Sequence, residues 1–409
     1  FCHISLIFLL LSEHSFWYTR QKRGENWFME RIIFHIDVNS AYLSWTALEL
    51  LKENPEGPDI RTIPAIVGGD RTTRHGIVLA KSQIAKKQYG IRTAEPIAQA
   101  LRKCPSLTIV PPNHALYAKR SRELMDFLRT ITPDLEQVSI DECFLDFTGI
   151  AHLYPSPLEA AAYIRRTVRE RLGFTVNVGI SSSRVLAKMA SDFEKPDKTH
   201  TLWPREIREK LWPLPIDQLF MAGHSSVAVL KKLEIRTIGD LARSDPQLIS
   251  LHLKSHGRML WEYANGLDET PVASEPADLK GVGNSVTLSS DVTSALEAKK
   301  ILRRLAEKVA GRLRADNKCA FGICVEIKYS DFTRVSHQTQ LTAPTQTSET
   351  IYRTACQLFD ALWSQAPIRL LGIRTGKLTD PDTPVQLSLF DLQAPKSHKK
   401  KKLDEALDK

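Results

Sequence analysis

Three carboxylates stand in apolar company. Asp37 lies near the end of "RIIFHIDV" (31–38), and Asp141 with Glu142 interrupts "QVSIDECFLDF" (137–147). Both stretches read as strands; in the second, Val138, Ile140, Phe144, Leu145 and Phe147 are the types half-buried strands favour. Successive strand side chains face opposite ways, so at least one of the paired acids should face a core. An unpaired charge there is costly. If the first strand pairs with the acidic hairpin, the three carboxylates converge at one edge, and they cannot all stay ionised without a counter-charge. Mg²⁺ suits that need, because it takes oxygen ligands, typically a few carboxylates plus substrate phosphates. Two such ions about 4 Å apart clamp the attacking and leaving oxygens of an in-line phosphoryl transfer. A twist or bulge at 141–142 would let both acids reach the site. A lone acidic pair is more often a salt-bridged feature of an edge strand; the third acid and the wider pattern favour the metal.

The elements that must position these acids follow from periodicity and turn signals. The strand 31–38 precedes a helix over 40–53. A Gly-rich basic loop, "GGDRTTRHG" (68–76), leads to "IVLA" and a basic helix over 81–90, and "LTIVPP" (107–112) is a short strand closed by proline. A helix over 113–130, the acidic hairpin 134–148, a helix over 157–172, a strand over 174–181 and a helix over 183–193 complete the first part. With 43–106 set aside as an insertion, the order is βαββαβ, the ferredoxin-like arrangement. Residues 204–266 read as all-helical, and 267–280 as a Pro-rich polar linker. The βαββαβ order then repeats over 281–380, where Leu302, Leu305, Val309 and Leu313 form one apolar helix stripe. The fold class is therefore α+β and multidomain.

The chain has 409 residues, too many for one core, and a net charge of +9 that makes a polyanion the first partner to consider. Its six cysteines are scattered without zinc spacing, which suits reduced thiols and a cytoplasmic location. "ISLIFLLL" (4–11) is far short of a membrane span, and the basic run "RQKR" (20–23) follows it rather than precedes it. Residues 1–28 are expected to be a non-native or disordered extension before Met29. Residues 381–409 read as a flexible polar tail.

"HIDVNSAY", "VSIDECFLDF" and "GISSSRVLAKMASDFEKP" (179–196), in that order, resemble the Y-family DNA polymerases, and within them the DinB branch. The resemblance spans about residues 31–390. It implies a palm (29–42 and 107–203), fingers (43–106), a helical thumb (204–266) and a little finger (281–380). It further implies translesion DNA synthesis on primer–template DNA from dNTPs by a monomer. Asp37, Asp141, Glu142 and the Val38 carbonyl would hold two Mg²⁺ ions. Asn39 replaces the second acid of the family's "DxD", which is not a required ligand there. Tyr42 matches the sugar gate, whose ring leaves no room for a 2′-hydroxyl. Backbone N–H groups at 39–42, including Ala41, can cradle the triphosphate at a helix start. Lys195 matches a phosphate-contacting lysine. In place of the family's "SYEAR" stands "SQIAKK", with the Tyr missing at Ile84 and either Lys86 or Lys87 standing for the Arg. Lysine supplies the charge but not the bidentate fork.

"LEIRTIGDLA" (233–242) resembles part of a helix-hairpin-helix, its usual Gly turn degraded to "AGHSS" (222–226). Lys328, Arg334 and Arg374 fall on little-finger strands as candidate DNA-backbone contacts. "QLSLF" resembles a sliding-clamp-binding peptide in which Gln386, Leu389 and Phe390 fill pockets, in a tail with little other reason to expose them. Two other classes compete. A non-catalytic, clamp-tethered DNA-binding scaffold has no use for the three acids. A two-metal nuclease would use similar acids but not Tyr42.

Overall fold

A computed structural model describes residues 21–23, 26–28, 31–69, 76–275 and 278–383. They fall into two compact units, the first carrying 31–69 and 77–275 and the second 278–383. Of residues 1–28, β1 (Gln21–Arg23) and β2 (Asn26–Phe28) are described, as an antiparallel pair. Gln386, Leu389 and Phe390 lie outside the described residues.

The first unit is organised by β3 (Ile33–Val38). Phe34, Ile36 and Val38 alternate to one face and bury there against α4 (His114–Arg129) and α5 (Pro157–Thr167). Phe34 stacks on Phe147 with centroids 4.5 Å apart. The opposite face carries Ile33, His35 and Asp37 and meets α6 (Arg184–Ser191). β3 pairs antiparallel with both β8 (Glu142–Asp146) and β9 (Val176–Ser181). β7 (Leu135–Gln137) and β10 (Thr199–Thr201) close the edges, giving the order β10-β9-β3-β8-β7. Without β10 this is the ferredoxin-like order: fourth, first, third, second.

The stretch 137–147 does not run as one strand. The N–H groups of Val138 and Ser139 both donate to the Glu142 carbonyl, at 3.0 and 3.2 Å, so 138–141 is the turn between β7 and β8. Asp141 thereby escapes strand alternation without a bulge, and Val138, read as part of a half-buried strand, is 48% exposed.

The insertion holds α1 (Ala41–Glu53), β4 (Ala65–Gly68), β5 (Val78–Lys81), α2 (Gln83–Tyr89), α3 (Ile97–Lys103) and β6 (Thr108–Val110). β6 corrects the expected boundary at 106. It pairs in parallel with β4, Ala65 opposite Thr108, and Ile109 packs into the insertion's own core, so the insertion reaches Val110. α1 serves two cores: Trp45 joins that of the five-stranded sheet, while Leu43 and Ala47 join the insertion.

Beyond β10 the chain is helical, as expected. α7 (His224–Lys232), α8 (Ile238–Arg243) and α9 (Pro246–Ala264) pack around Leu230, Ile238 and Leu260. Much of the following segment, read as a linker, is docked. Arg31 donates to the carbonyl of Thr270 (3.1 Å) and Arg184 to that of Pro271 (3.0 Å). Asp268 accepts from the Val185 N–H at the start of α6 (3.1 Å), and Val272 packs on Ile33, Phe144 and Ala187.

The second unit runs β11 (Gly283–Val292), α10 (Ala295–Ala315), β12 (Cys319–Tyr329), β13 (Arg334–Thr345), α11 (Ser348–Leu362) and β14 (Ile368–Thr379). The βαββαβ element order repeats, but the sheet order does not: it is β11-β14-β12-β13, all antiparallel, with the first strand at an edge. α10 and α11 bury Ile323, Val325, Ile327, Leu371 and Ile373 on one face.

Candidate active site

Asp37 and Glu142 are register partners across β3 and β8, and the Val38 N–H donates to the Asp141 carbonyl at 3.0 Å. Partners in an antiparallel pair present their side chains on one face, so the three acids share a corner of the sheet. Each is engaged separately. Lys195 donates to Asp37 and also lies 2.8 Å from Asp192. Lys188 donates to Glu142 Oε2 at 2.8 Å, with His35 Nε2 at 3.4 Å from the same oxygen. The Ser139 hydroxyl donates to Asp141 Oδ1 at 2.7 Å.

The electrostatics divide the acids. The His35 imidazole, with the Lys188 ammonium adding to it against burial, holds the Glu142 carboxyl down at about 2. Burial, reinforced by the charges of Asp37 and Glu142, pushes Asp141 up despite the Ser139 bond. Burial also draws His35 below its usual range. Lys195 loses charge stability through burial, but Asp37 and Asp192 outweigh that and raise it. Two lysines thus supply part of the counter-charge, at two of the three acids. Among the described residues no three acidic, His or Cys side chains converge closely enough to hold an ion. The donor set still fits a divalent cation in kind: hard carboxylate oxygens at one corner, their charge already drawing cations.

The proximity of α6 has a single steric cause. Gly179 in β9 lies opposite His35, and a Cβ there would stand 2.0 Å from the Ala187 carbonyl oxygen and 2.4 Å from the Ser191 nitrogen. Glycine lets α6 lie on the sheet, where Ser191 Oγ is 2.8 Å from His35 Nδ1 and Lys188 reaches Glu142. Asn39, noted in sequence only for the acid it replaces, is buried and ties the loop that carries Lys195. Its Oδ1 accepts from the Asp197 N–H and the Thr175 hydroxyl, both at 2.9 Å, and its Nδ2 donates to Asn177 Oδ1 at 3.1 Å. Asn177 in turn donates to the carbonyls of Ser191 and Glu194.

Tyr42 follows Ala41 in the first turn of α1, where Ser40 caps with φ 49° and no side-chain bond. That leaves first-turn N–H groups without a side-chain cap. The Tyr42 ring stacks on Tyr117, 4.3 Å between centroids and 10° between planes. Tyr117 is buried and its hydroxyl bonds Thr46 Oγ1 at 2.9 Å. Burial, with Asp141 nearby, pushes the Tyr42 phenol up. Lys86 and Lys87 are both exposed on α2. Lys81, on β5, adds a half-buried ammonium that burial and Lys86 push down, its Nζ donating to Thr93 at 2.7 Å.

Sequence reasoning missed His35, Lys188, Tyr117, Asn177 and Gly179. Two of them had a signal: His35 shares a strand face with Asp37, and Lys188, Asp192 and Lys195 follow helical spacing.

In the second unit, Lys328 and Arg334 are register partners, and Arg374 lies opposite both Gly283 and Cys324. Arg334 is engaged by Glu326 at 3.1 Å. Arg374 lines an open trough of about 680 Å³ with Gly283, Gly322, Gly376, Gln338 and Lys377. Among the described residues no helix is long and apolar enough to cross a membrane.

Comparison with known proteins gives a consistent picture. Residues 36–192 match the impB/mucB/samB family and residues 279–389 its C-terminal domain. DNA polymerase IV of Clostridium acetobutylicum is 46% identical over 363 residues, covering 89% of this chain and 91% of that one. DNA polymerase IV of Alkaliphilus oremlandii is 36% identical over 366 residues, 89% of this chain and 90% of that one. Among solved structures, the Y-family DNA polymerase chimera Dbh-Dpo4(243-245)-Dbh matches with a TM-score of 0.75 at 22% identity, over 85% of this chain and 99% of that one; it shares the fold.

Proposed function

The chain belongs to the impB/mucB/samB family, the Y-family DNA polymerases, and from that membership we infer how the site works. It is a DNA-directed DNA polymerase of translesion type, acting on primer–template DNA and dNTPs with a divalent metal cofactor. We propose that Asp37, Asp141, Glu142 and the Val38 carbonyl hold two Mg²⁺ ions. Bound there, the ions would lower the pKa of the primer 3′-hydroxyl and neutralise the triphosphate as pyrophosphate leaves. The observation that carries the reading is the register pairing of Asp37 with Glu142, with Asp141 one residue away at the same corner.

The chain's own groups do the rest. Lys188, with His35 beside it, keeps Glu142 ionised and oriented. Lys195, held on Asp37 and Asp192, is placed to take a phosphate of the incoming nucleotide. The uncapped N–H groups at Ala41 and Tyr42, with Lys86 or Lys87, add to that grip. Tyr42, backed by Tyr117, sets its ring against C2′ of the sugar and excludes a 2′-hydroxyl. Fingers over 43–110 form a small insertion that screens base-pair shape poorly, so fidelity is low. Palm (29–42 and 111–203), thumb (204–266), linker (267–280) and little finger (281–380) complete the assignment. Lys328, Arg334 and Arg374 contact the DNA backbone without base choice. Gln386, Leu389 and Phe390 tether a cytoplasmic monomer to the sliding clamp, a reading supported by the sequence alone.

Primer extension with and without Mg²⁺ tests the whole reading. A polymerase lengthens the primer only with the ion. A shortened primer would turn the site into a nuclease, and an unchanged one into a DNA-binding scaffold.

A further inference from the structure

Two backbone irregularities of the second unit meet at one exposed ring. Phe332, at the tip between β12 and β13, is 59% exposed and has φ 69°. A bulky residue in the left-handed region is an outlier, for which glycine or asparagine is the unstrained choice. Its N–H closes the turn onto the Tyr329 carbonyl at 3.0 Å. The second irregularity lies in β14. Ile368 pairs with Tyr329 and Leu370 with Lys328, so Arg369 is the extra residue of a bulge. Bulges re-aim side chains, and this one brings the Arg369 guanidinium carbon to 4.7 Å from the Phe332 centroid. Lys328 Nζ lies 4.5 Å from the same centroid.

Two cations on one exposed ring form an arrangement that packing does not require. The ring lowers the rotational freedom of two long side chains that otherwise lose it only on binding. Strain retained at an exposed position points to use rather than to stability. Lys328 is also the register partner of Arg334, so the clip continues into a basic strip.

We propose that Phe332 is a positioning residue: its ring holds Lys328 and Arg369 as a preformed clip for the phosphate backbone of primer–template DNA. The proposal rests on the polymerase reading and names how that partner is held. A free phosphate needs no such spacing of two cations, and an unstructured polyanion gains nothing from their order.

Phe332→Gly is the informative variant, because it removes the ring and relieves the φ strain together. Its Tm is expected to equal or exceed that of the wild type. Its affinity for an undamaged primer–template duplex, read by fluorescence anisotropy, is expected to fall about fivefold, with the slope of log K against log salt reduced by about one. Phe332→Trp should restore both. In the Lys328→Met, Arg369→Met background, Phe332→Gly should change affinity little further. Unchanged affinity for Phe332→Gly overturns the clip. So does a loss with the salt slope intact, which would mean that the ring touches bases directly, and so does a fully additive loss in the double-Met background. Wild-type primer extension run alongside keeps the two readings apart: extension with no effect of Phe332→Gly sinks the clip alone, and no extension sinks the polymerase reading.

Discussion

The Asp141 carboxyl is half-buried, repelled by Asp37 and Glu142, and steadied by the Ser139 hydroxyl. Its folded pKa is raised, so the ionised form that dominates at neutral pH opposes folding. Stability linked to this group is fully present below the ordinary aspartate pKa and is lost as pH rises from there through the raised folded value. Asp141→Asn keeps the shape and removes the charge. It should abolish primer extension while raising Tm at pH 7 above that of the wild type, because the buried, repelled charge is gone. The gain should vanish in melts below the ordinary aspartate pKa; a lower Tm at pH 7 would mean that the Ser139 bond outweighs the repulsion. Glu142 has the opposite sign. With its carboxyl held at about 2, its contribution is fully present above the ordinary glutamate pKa and is lost as pH falls from there through about 2. Tyr42 makes the other residue-scale prediction. Tyr42→Ala removes the ring that rests on Tyr117 and should raise ribonucleotide incorporation about a hundredfold or more, the order a steric exclusion of a few kcal/mol allows. Unchanged sugar discrimination in single-nucleotide extension would take the gate away from Tyr42.

At the scale of elements, α6 decides whether the corner works, and Gly179 decides where α6 lies. Gly179→Ala would drive a Cβ into the Ala187 carbonyl and the Ser191 nitrogen, both backbone atoms without freedom to move alone. We expect a loss of about 3 kcal/mol or more in urea unfolding, because helix and sheet must separate. Surviving protein should show weaker extension, since Lys188 and the loop of Lys195 shift with the helix. Near-wild-type stability would show that α6 is freer to slide than its contacts imply. This close approach is also where sequence reading ran out. The strands, helices and acids of the first unit were legible because apolar alternation and helical stripes are local signals. The turn at 138–141 was not, since Val138 and Ile140 carry strand propensity while the Glu142 carbonyl holds the turn. Nor was the pairing of β6, because strand partners are set by contacts far along the chain. Lys188 was hidden for a related reason: its partner Glu142 is 46 residues away. In the second unit one element order fits two sheet orders, and periodicity does not distinguish them.

For the molecule as a whole, a DNA polymerase of net charge +9 must present cations to DNA while keeping a cluster of acids at one corner of its sheet. The segment joining the two units has a part in this that its composition concealed. Proline and polar residues suggested a free linker, yet 268–274 lie along the same sheet face as Asp37 and Glu142, and Val272 covers Ile33 and Phe144. Arg184 is the main fastener. It bonds the Pro271 carbonyl at 3.0 Å and Glu136 at 2.7 Å, and its guanidinium carbon lies 4.6 Å from the Phe144 centroid. Glu136 then accepts from the Ala273 N–H at 2.8 Å, so one ion pair fixes two points of the strap. Removing Arg184 leaves a carboxylate without its cation and a carbonyl without its donor, while Val272 still packs beneath. The strap should then open locally more often, by about tenfold if the loss is about 1.4 kcal/mol, without global unfolding. Limited proteolysis with a nonspecific protease at low concentration reads that population directly. Arg184→Ala should be cut within 268–275 about ten times faster than the wild type, with fragments located by mass spectrometry and Tm nearly unchanged. Equal cutting rates would assign the docking to Val272 and its apolar contacts instead, and Val272→Ser would become the variant that releases the strap.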